Sequence, residues 1–240
     1  NETYYEHAYI ARYLGIMLLE GEDLTVSGGR LMVRTVSGLM PVSVLWRRLD
    51  AAFADPLELR PDSQIGTPGL VEAIRRGAVS TVNALGSGLM ETRALLAFLP
   101  KISRELRNEE LLLPSVATWW CGRDAERDHV LANLDRMVIG PALSTRLAFE
   151  DDDCTRLGSA LVAGERAELI ARIERHGGDF VGQEAVTLST TPVYVGGWLE
   201  PRPASLRVYL ARTPEGWTVM PGGFARVGFS LDPTAIAMQR

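Results

Sequence analysis

Arginines beside apolar runs are the residues of this chain best suited to chemistry. Arg47, Arg48, Asp50, Asp55, Glu58 and Arg60 crowd a short stretch directly after the apolar run 42–46. A guanidinium captures a carboxylate or phosphate through two parallel N–H bonds. In parallel-sheet folds, ligands gather beyond the carboxyl ends of strands. A loop laced with surface ion pairs explains the same residues equally well. The turn Gly86-Ser87-Gly88 stands between a predicted strand and a predicted helix start, where free N–H groups can hold an anion. A tight strand-to-helix connection is the plainer reading, because no complete Gly-rich phosphate motif is present. Further on, Phe180-Val181-Gly182-Gln183-Glu184 puts two polar residues at the end of an apolar strand, able to hydrogen-bond an adenine edge. Arg207 lies in the alternating run 206–209, and Met220-Pro221-Gly222-Gly223 reads as a turn that delivers Arg226 onto a following strand. For both arginines a solvated sheet face is the alternative.

Other candidates carry less. Glu150-Asp151-Asp152-Asp153 is a run of carboxylates, better read as a solvated loop than as a hard-cation site. His7, His129 and His176 each lie on or beside a predicted helix and read as structural. No Ser/His/Asp or Cys/His set follows from spacing. Cys121 and Cys154 are the only cysteines and stand in no CxxC pattern, so buried thiols in a reducing compartment are expected rather than a disulfide or zinc site. No metal ligands are assigned. Lys101 is the only lysine. Any role that needs a compact ammonium therefore has one candidate.

The elements that position these groups follow from periodicity and punctuation. Helical spacing covers residues 2–14 and ends at Gly15. Residues 16–19 read as a buried strand. Residues 24–26 and 31–33, joined across Ser27-Gly28-Gly29, read as a hairpin. A strand at 42–46, a helix at 70–76, a strand at 79–82 and a helix at 89–99 stopped by Pro100 complete the first part. This alternation predicts an α/β layer with a mostly parallel sheet. Beyond a linker or edge strand at 111–114, the expected elements are a helix capped by Asp124 and a strand at 137–139. A helix at 165–175 follows, with Leu169, Ile170 and Ile173 on one face, and then strands at 180–184 and 185–188. An antiparallel pair at 206–211 and 217–220 turns at Thr213-Pro214-Glu215-Gly216, and 224–228 continues that sheet. The second part therefore reads as α+β, with a boundary near residue 115.

Composition sets the outer limits. The 240 residues are 46% hydrophobic and 23% charged, which excludes a disordered or fibrous chain. A net charge of −5 gives no basic footprint for nucleic acid. No apolar run is long enough to span a membrane, and no signal-peptide pattern opens the chain. The start at Asn1 and the finish at Gln239-Arg240 suggest a piece of a longer protein, incomplete at both ends.

Several longer motifs together resemble a known family. They are Glu6-His7-Ala8-Tyr9 with Ala11-Arg12-Tyr13-Leu14-Gly15 and Glu22-Asp23-Leu24, Arg47-Arg48, and Asp55-Pro56-Leu57-Glu58-Leu59-Arg60-Pro61-Asp62-Ser63. Asn83-Ala84-Leu85-Gly86-Ser87-Gly88, Gln183-Glu184 with Leu188-Ser189-Thr190-Thr191-Pro192, Pro201-Arg202-Pro203 and Met220-Pro221-Gly222-Gly223 complete the set. In this order they resemble the circularly permuted ATP-grasp proteins, type 2, with a more distant similarity to glutathionylspermidine synthetase-like carboxylate–amine ligases.

The resemblance implies an ATP-grasp-like fold made of a substrate-side portion, 1–115, and a partial ATP-grasp-like portion, 116–240. It implies ATP and Mg2+ as cofactors, with the metal ligands outside this chain. It also implies a cytoplasmic ligase joining a small-molecule or peptide carboxylate to an amine through an acyl phosphate. Gln183 and Glu184 would then face adenine. Arg207 and Arg226 would face phosphates or the acyl phosphate, while Arg47, Arg48, Asp50, Arg60, Gly86, Ser87 and Gly88 would serve the acceptor side. A helical domain further along the polypeptide is an implied partner. Relatives usually carry Val-Ile-Lys-Pro where this chain has Val138-Ile139-Gly140-Pro141, and the lysine contacts ATP phosphates. Gly140 therefore leaves a second possibility open, a catalytically inactive ATP-grasp-like binding or scaffold domain.

Overall fold

The computed structural model describes residues 3–145 and 155–228. The acidic run 150–153 and Cys154 lie outside the described residues. The chain divides into two compact units, Asn1–Ser87 and Gly88–Arg240.

In the first unit, α1 (Tyr4–Leu14) buries only Ala11 and leaves Tyr5, Tyr9 and Tyr13 exposed. The strand expected at 16–19 does not form: no neighbouring strand pairs with it, and Ile16 and Met17 are exposed. The expected hairpin does form, from β1 (Leu24–Ser27) and β2 (Arg30–Thr35). Gly28 and Gly29 both take positive φ, which a two-residue turn between twisted strands demands. Alternation then buries Leu24, Leu31 and Val33. An unexpected β3 (Gly38–Pro41) pairs antiparallel with β2. After β4 (Val44–Trp46), α2 (Leu70–Arg75) returns the chain so that β5 (Ser80–Val82) runs parallel to β4. Leu24, Leu31, Val33, Ala54, Leu70, Ala73 and Val79 form one core. Among the described residues of this unit only β4 and β5 run parallel, so the mostly parallel sheet expected here is replaced by an antiparallel meander plus one parallel pair.

In the second unit, Pro100 does not end a helix. It sits in the first turn of α4 (Leu99–Arg107), where a missing N–H costs nothing, after the short α3 (Arg93–Leu96). Helix α3 is joined to the chain after residue 140: the Arg93 N–H donates to Ser144 O at 3.0 Å and the Ala94 N–H to Ala142 O at 2.9 Å. Residues 111–114 form no strand, and Leu112 and Leu113 are exposed. Four strands then make an antiparallel sheet in the order β6-β9-β7-β8. They are β6 (Thr118–Trp120), β7 (Met137–Pro141), β8 (Arg156–Leu157) and β9 (Phe180–Glu184). Between them run α5 (Asp124–Ala132) and α6 (Ala163–His176). Asp124 is the first residue of α5 rather than its cap, and it pairs with Arg127 at 2.7 Å.

One face of this sheet packs on the helices through Cys121, Val130, Leu134, Met137, Ile139, Leu169, Ile173 and Phe180. Burial pushes the Cys121 thiol up to about 11 although the Gly182 backbone and Arg127 pull it down, so it stays protonated and unreactive at neutral pH.

Residues 185–188 form no strand. The next one is β10 (Thr190–Val195), which carries Pro192 on a sheet edge where a missing donor is tolerated. Strand β11 (Trp198–Thr213) pairs with β10 on one side and β12 (Gly216–Val227) on the other. The architecture is mixed helix and sheet throughout.

Candidate functional site

In the first unit, the charged stretch after β4 is tied into its own loops. The Arg47 Nε–H donates to Asn83 O at 2.9 Å, Nη1 donates to Leu49 O, and Nη2 reaches Ala84 O at 3.4 Å. Asn83 answers with its amide donating to Arg47 O at 3.0 Å, and it holds a positive φ to do so. Arg47 thus fastens the two loops that leave β4 and β5. Arg48 donates to His7 Nε2 at 3.1 Å. Arg60 makes two bonds to Asp62, at 2.7 and 3.1 Å, and lies 4.5 Å above the Phe53 ring. Asp50 is exposed.

Gly86 has positive φ, but Ser87 opens only a five-residue 3-10 helix, Ser87–Glu91. The extended helix start expected after Gly86-Ser87-Gly88 is therefore absent among the described residues. Asp55 is fully buried and accepts from the backbone N–H groups of Leu57, Gly69 and Val71, at 2.9, 3.2 and 3.0 Å. It knits the 55–71 loop to the start of α2.

In the second unit, strand alternation separates two residues expected to act together. Gln183 pairs with Val138 and Thr118; Glu184 pairs with Met137. Successive residues of a strand point to opposite faces, so Gln183 and Glu184 do not present one edge to a base from the same side. The Gln183 amide is buried and donates to Thr118 Oγ1 at 3.1 Å, whose hydroxyl donates to Val116 O at 2.8 Å. Glu184 is half-exposed beside Arg136 at 3.5 Å. Gly140 pairs with Val181, which places it on the Gln183 face. There it lies beneath the guanidinium of Arg93: a Cβ at position 140 would overlap Arg93 Nη1 and stand 3.3 Å from Thr155 Oγ1. Trp120, on the same face, packs on Phe98 with ring centres 5.9 Å apart.

Arg207 and Arg226 do share a surface. The register sets Arg207 opposite Phe224 and Ser205 opposite Arg226, so both arginines project from one face as diagonal neighbours. Tyr209 joins them there, edge-on to Phe224 at 6.1 Å. The opposite face carries Leu206, Val208, Leu210 and Val219, all exposed. Met220-Pro221-Gly222-Gly223 is no turn. Val208 pairs with Gly223 and Leu210 with Val219, so Met220, Pro221 and Gly222 together lie opposite Tyr209 as a bulge inside β12.

A model of circularly permuted ATP-grasp type 2 proteins matches residues 1–228. The chain belongs to this family. It is 39% identical over 233 residues to an uncharacterised protein of Mycobacterium tuberculosis, covering 97% of this chain and 25% of the relative. An uncharacterised Synechocystis protein is 36% identical over 227 residues, 95% of this chain and 46% of the relative. An uncharacterised Mycobacterium leprae protein is 34% identical over 233 residues, 95% of this chain and 40% of the relative. The chain thus spans a quarter to just under half of these relatives' length.

For an ATP-grasp chain, the donor set divides by ligand. A guanidinium suits phosphate oxygens in general, and Arg207 and Arg226 lie on one sheet face, the first exposed and the second half-buried. Magnesium fits less well, because no three His, Cys, Asp or Glu residues converge among the described residues. No helix among the described residues is long and apolar enough to cross a membrane. The sequence reading passed over Arg93 and Thr155. One signal for Arg93 was present: it is the lone charge at the head of the apolar run Ala94-Leu95-Leu96-Ala97-Phe98.

Proposed function

We propose that this chain contributes the nucleotide-binding part of an ATP-dependent ligase that joins a small-molecule or peptide carboxylate to an amine. The observation that carries the reading is the pairing of Arg207 and Arg226 on one face of the β11–β12 ribbon, beside Tyr209 and Phe224. Family membership supports the same reading. When bound, ATP supplies the phosphoryl group that turns a carboxylate into an acyl phosphate, from which an amine displaces phosphate. Arg207 and Arg226 bind and neutralise the phosphoryl oxygens as charge builds on them, a task that preorganised cations perform well. Residues 116–240 form the nucleotide side in this reading, with Gln183 rather than Glu184 on its inner face. Residues 1–115 form the substrate side, with Arg48, Asp50 and Arg60 among its exposed charges. A cytoplasmic location and a helical partner domain belong to the same reading.

The test is a thermal-shift series with Mg-ATP on the full-length protein. Ligand at about 100 times Kd stabilises a folded protein by about 2.7 kcal/mol, which raises Tm by several degrees. Arg207→Ala and Arg226→Ala should each lose most of that rise. No rise in the parent protein would overturn the reading. Gly140 favours a second one, nucleotide binding without turnover. It predicts the Mg-ATP shift with no phosphate or ADP release in the presence of any carboxylate–amine pair.

A further inference from the structure

We propose that Arg93 supplies the buried cationic group for the nucleotide phosphates on the Gln183 face of the four-stranded sheet, and that Gly140 is glycine so that Arg93 can enter. The inference rests on the nucleotide-binding reading above and assigns it a residue from a different element. Gly140 offers no side chain of its own. The space a side chain would fill is taken by the Arg93 guanidinium, which overlaps the position of a Cβ at residue 140. A long side chain at 140 and Arg93 in its present seat therefore exclude one another.

Arg93 is well placed to hold that seat. It is only 3% exposed. Its backbone is fixed by the bonds to Ser144 and Ala142 already described. Just before it, the buried Thr92 hydroxyl donates to Leu89 O at 2.8 Å. The guanidinium Nη1 donates to Thr155 Oγ1 at 2.8 Å, and Arg93 has further interactions besides. With five N–H donors in a planar fork, the group serves several acceptors at once. Its guanidinium keeps its proton at every physiological pH.

The neighbourhood supports a phosphate as the ligand. Gly140 and Gln183 lie on adjacent strands and on one face, two positions apart along the register, because Gly140 pairs with Val181 and Val138 with Gln183. Such diagonal neighbours stand roughly 7–8 Å apart. The opposite face is filled by the core against α5 and α6, with the Val130 methyl groups pressed onto Gly182. The cation and the candidate base-reading amide are thus on the same side. A guanidinium fork matches phosphate geometry better than a single ammonium does.

The experiment compares the full-length parent with Arg93→Gln, Gly140→Lys and the double variant Arg93→Gln/Gly140→Lys. Circular dichroism checks folding, and calorimetric titration reads Mg-ATP affinity. Glutamine removes the charge and, being shorter with two N–H donors in place of five, also vacates part of the seat. Arg93→Gln should weaken Mg-ATP binding about tenfold or more, in line with the loss of a charge-assisted bond. Gly140→Lys alone should also weaken it, by expelling Arg93. The double variant should regain most of the parent affinity, because the lysine then has room and restores the cation. Folded Arg93→Gln protein that binds Mg-ATP as the parent does would overturn the proposal. So would a double variant that binds no better than Arg93→Gln. A parent that does not bind Mg-ATP would sink the functional reading and this inference together, whereas parent binding that ignores Arg93 would sink this inference alone.

Discussion

Arginines meet two different fates in this chain. In the 47–62 stretch they are consumed locally: Arg47 is bonded to three backbone carbonyls, and Arg60 is bonded to Asp62 and laid over Phe53. On the β11–β12 ribbon, Arg207 is exposed and has no ion pair or side-chain hydrogen bond to a described residue. The backbone explains the contrast. Carbonyls in a loop have no ladder partner, and an arginine within reach satisfies them. Carbonyls in paired strands are already taken by the neighbouring strand, so a guanidinium there finds a side chain, as Arg202 finds Glu200 at 2.6 Å, or is left to solvent or a ligand, as Arg207 is. Residue type alone did not separate Arg47 from Arg207; the hydrogen-bonding state of the surrounding backbone did.

If the loop is scaffolding, its largest contribution comes from Asp55, not from an arginine. Asp55→Ala strands three backbone N–H groups in a dry interior, and each unsatisfied buried donor costs about 1–3 kcal/mol. We expect a loss of about 3–5 kcal/mol in urea unfolding of the first unit, with Asp55→Asn recovering part of it. A loss below about 1 kcal/mol would mean the loop is not held from Asp55. The next step sets the two arginine classes against each other. Arg47→Ala should cost about 1–3 kcal/mol of stability through its orphaned carbonyls, with Mg-ATP affinity unchanged. Arg207→Ala should stay within about 0.5 kcal/mol of the parent in stability and lose nucleotide affinity. Exchanged outcomes would break the comparison.

What could be read from the sequence follows the same physics. The hairpin at Leu24–Thr35 was legible because alternation and a Gly-Gly turn are local signals. Helix α6 was legible because Leu169 and Ile173 fall on one stripe. Strands β3 and β10 were not, since both are short, mostly exposed and contain proline. The apolar run 16–19 misled for the opposite reason: hydrophobicity without a pairing neighbour does not make a strand. At the candidate site, the shared face of Arg207 and Arg226 depends on a register that only the paired strand reveals. That Gln183 and Glu184 diverge was implicit in the two-residue period of a strand. The seat of Arg93 over Gly140 was out of reach, because it joins elements distant in sequence and depends on a side chain that is missing.

The smallest effect tests whether Arg60 is committed to its loop. The side-chain bond from Arg60 holds the Asp62 carboxyl below its usual range, against an opposing effect of desolvation and with a smaller contribution from the Arg60 charge. The reciprocal bond from Asp62 raises Arg60. A carboxylate with a depressed folded-state pKa stabilises the fold above its unfolded value, near 3.8, and that contribution disappears as pH falls through the depressed value. Both side chains are well exposed, so salt screens the pair and the contribution to stability is slight. Titration followed by NMR is the sensitive readout. In Arg60→Ala, Asp62 should return to an ordinary carboxylate midpoint, and high salt should bring the parent protein close to the same value. An Asp62 midpoint that ignores both changes would show that the pair does not persist in solution. Arg60 would then be released to meet a substrate carboxylate, and the loop would resemble the ribbon more closely than its hydrogen bonds suggest.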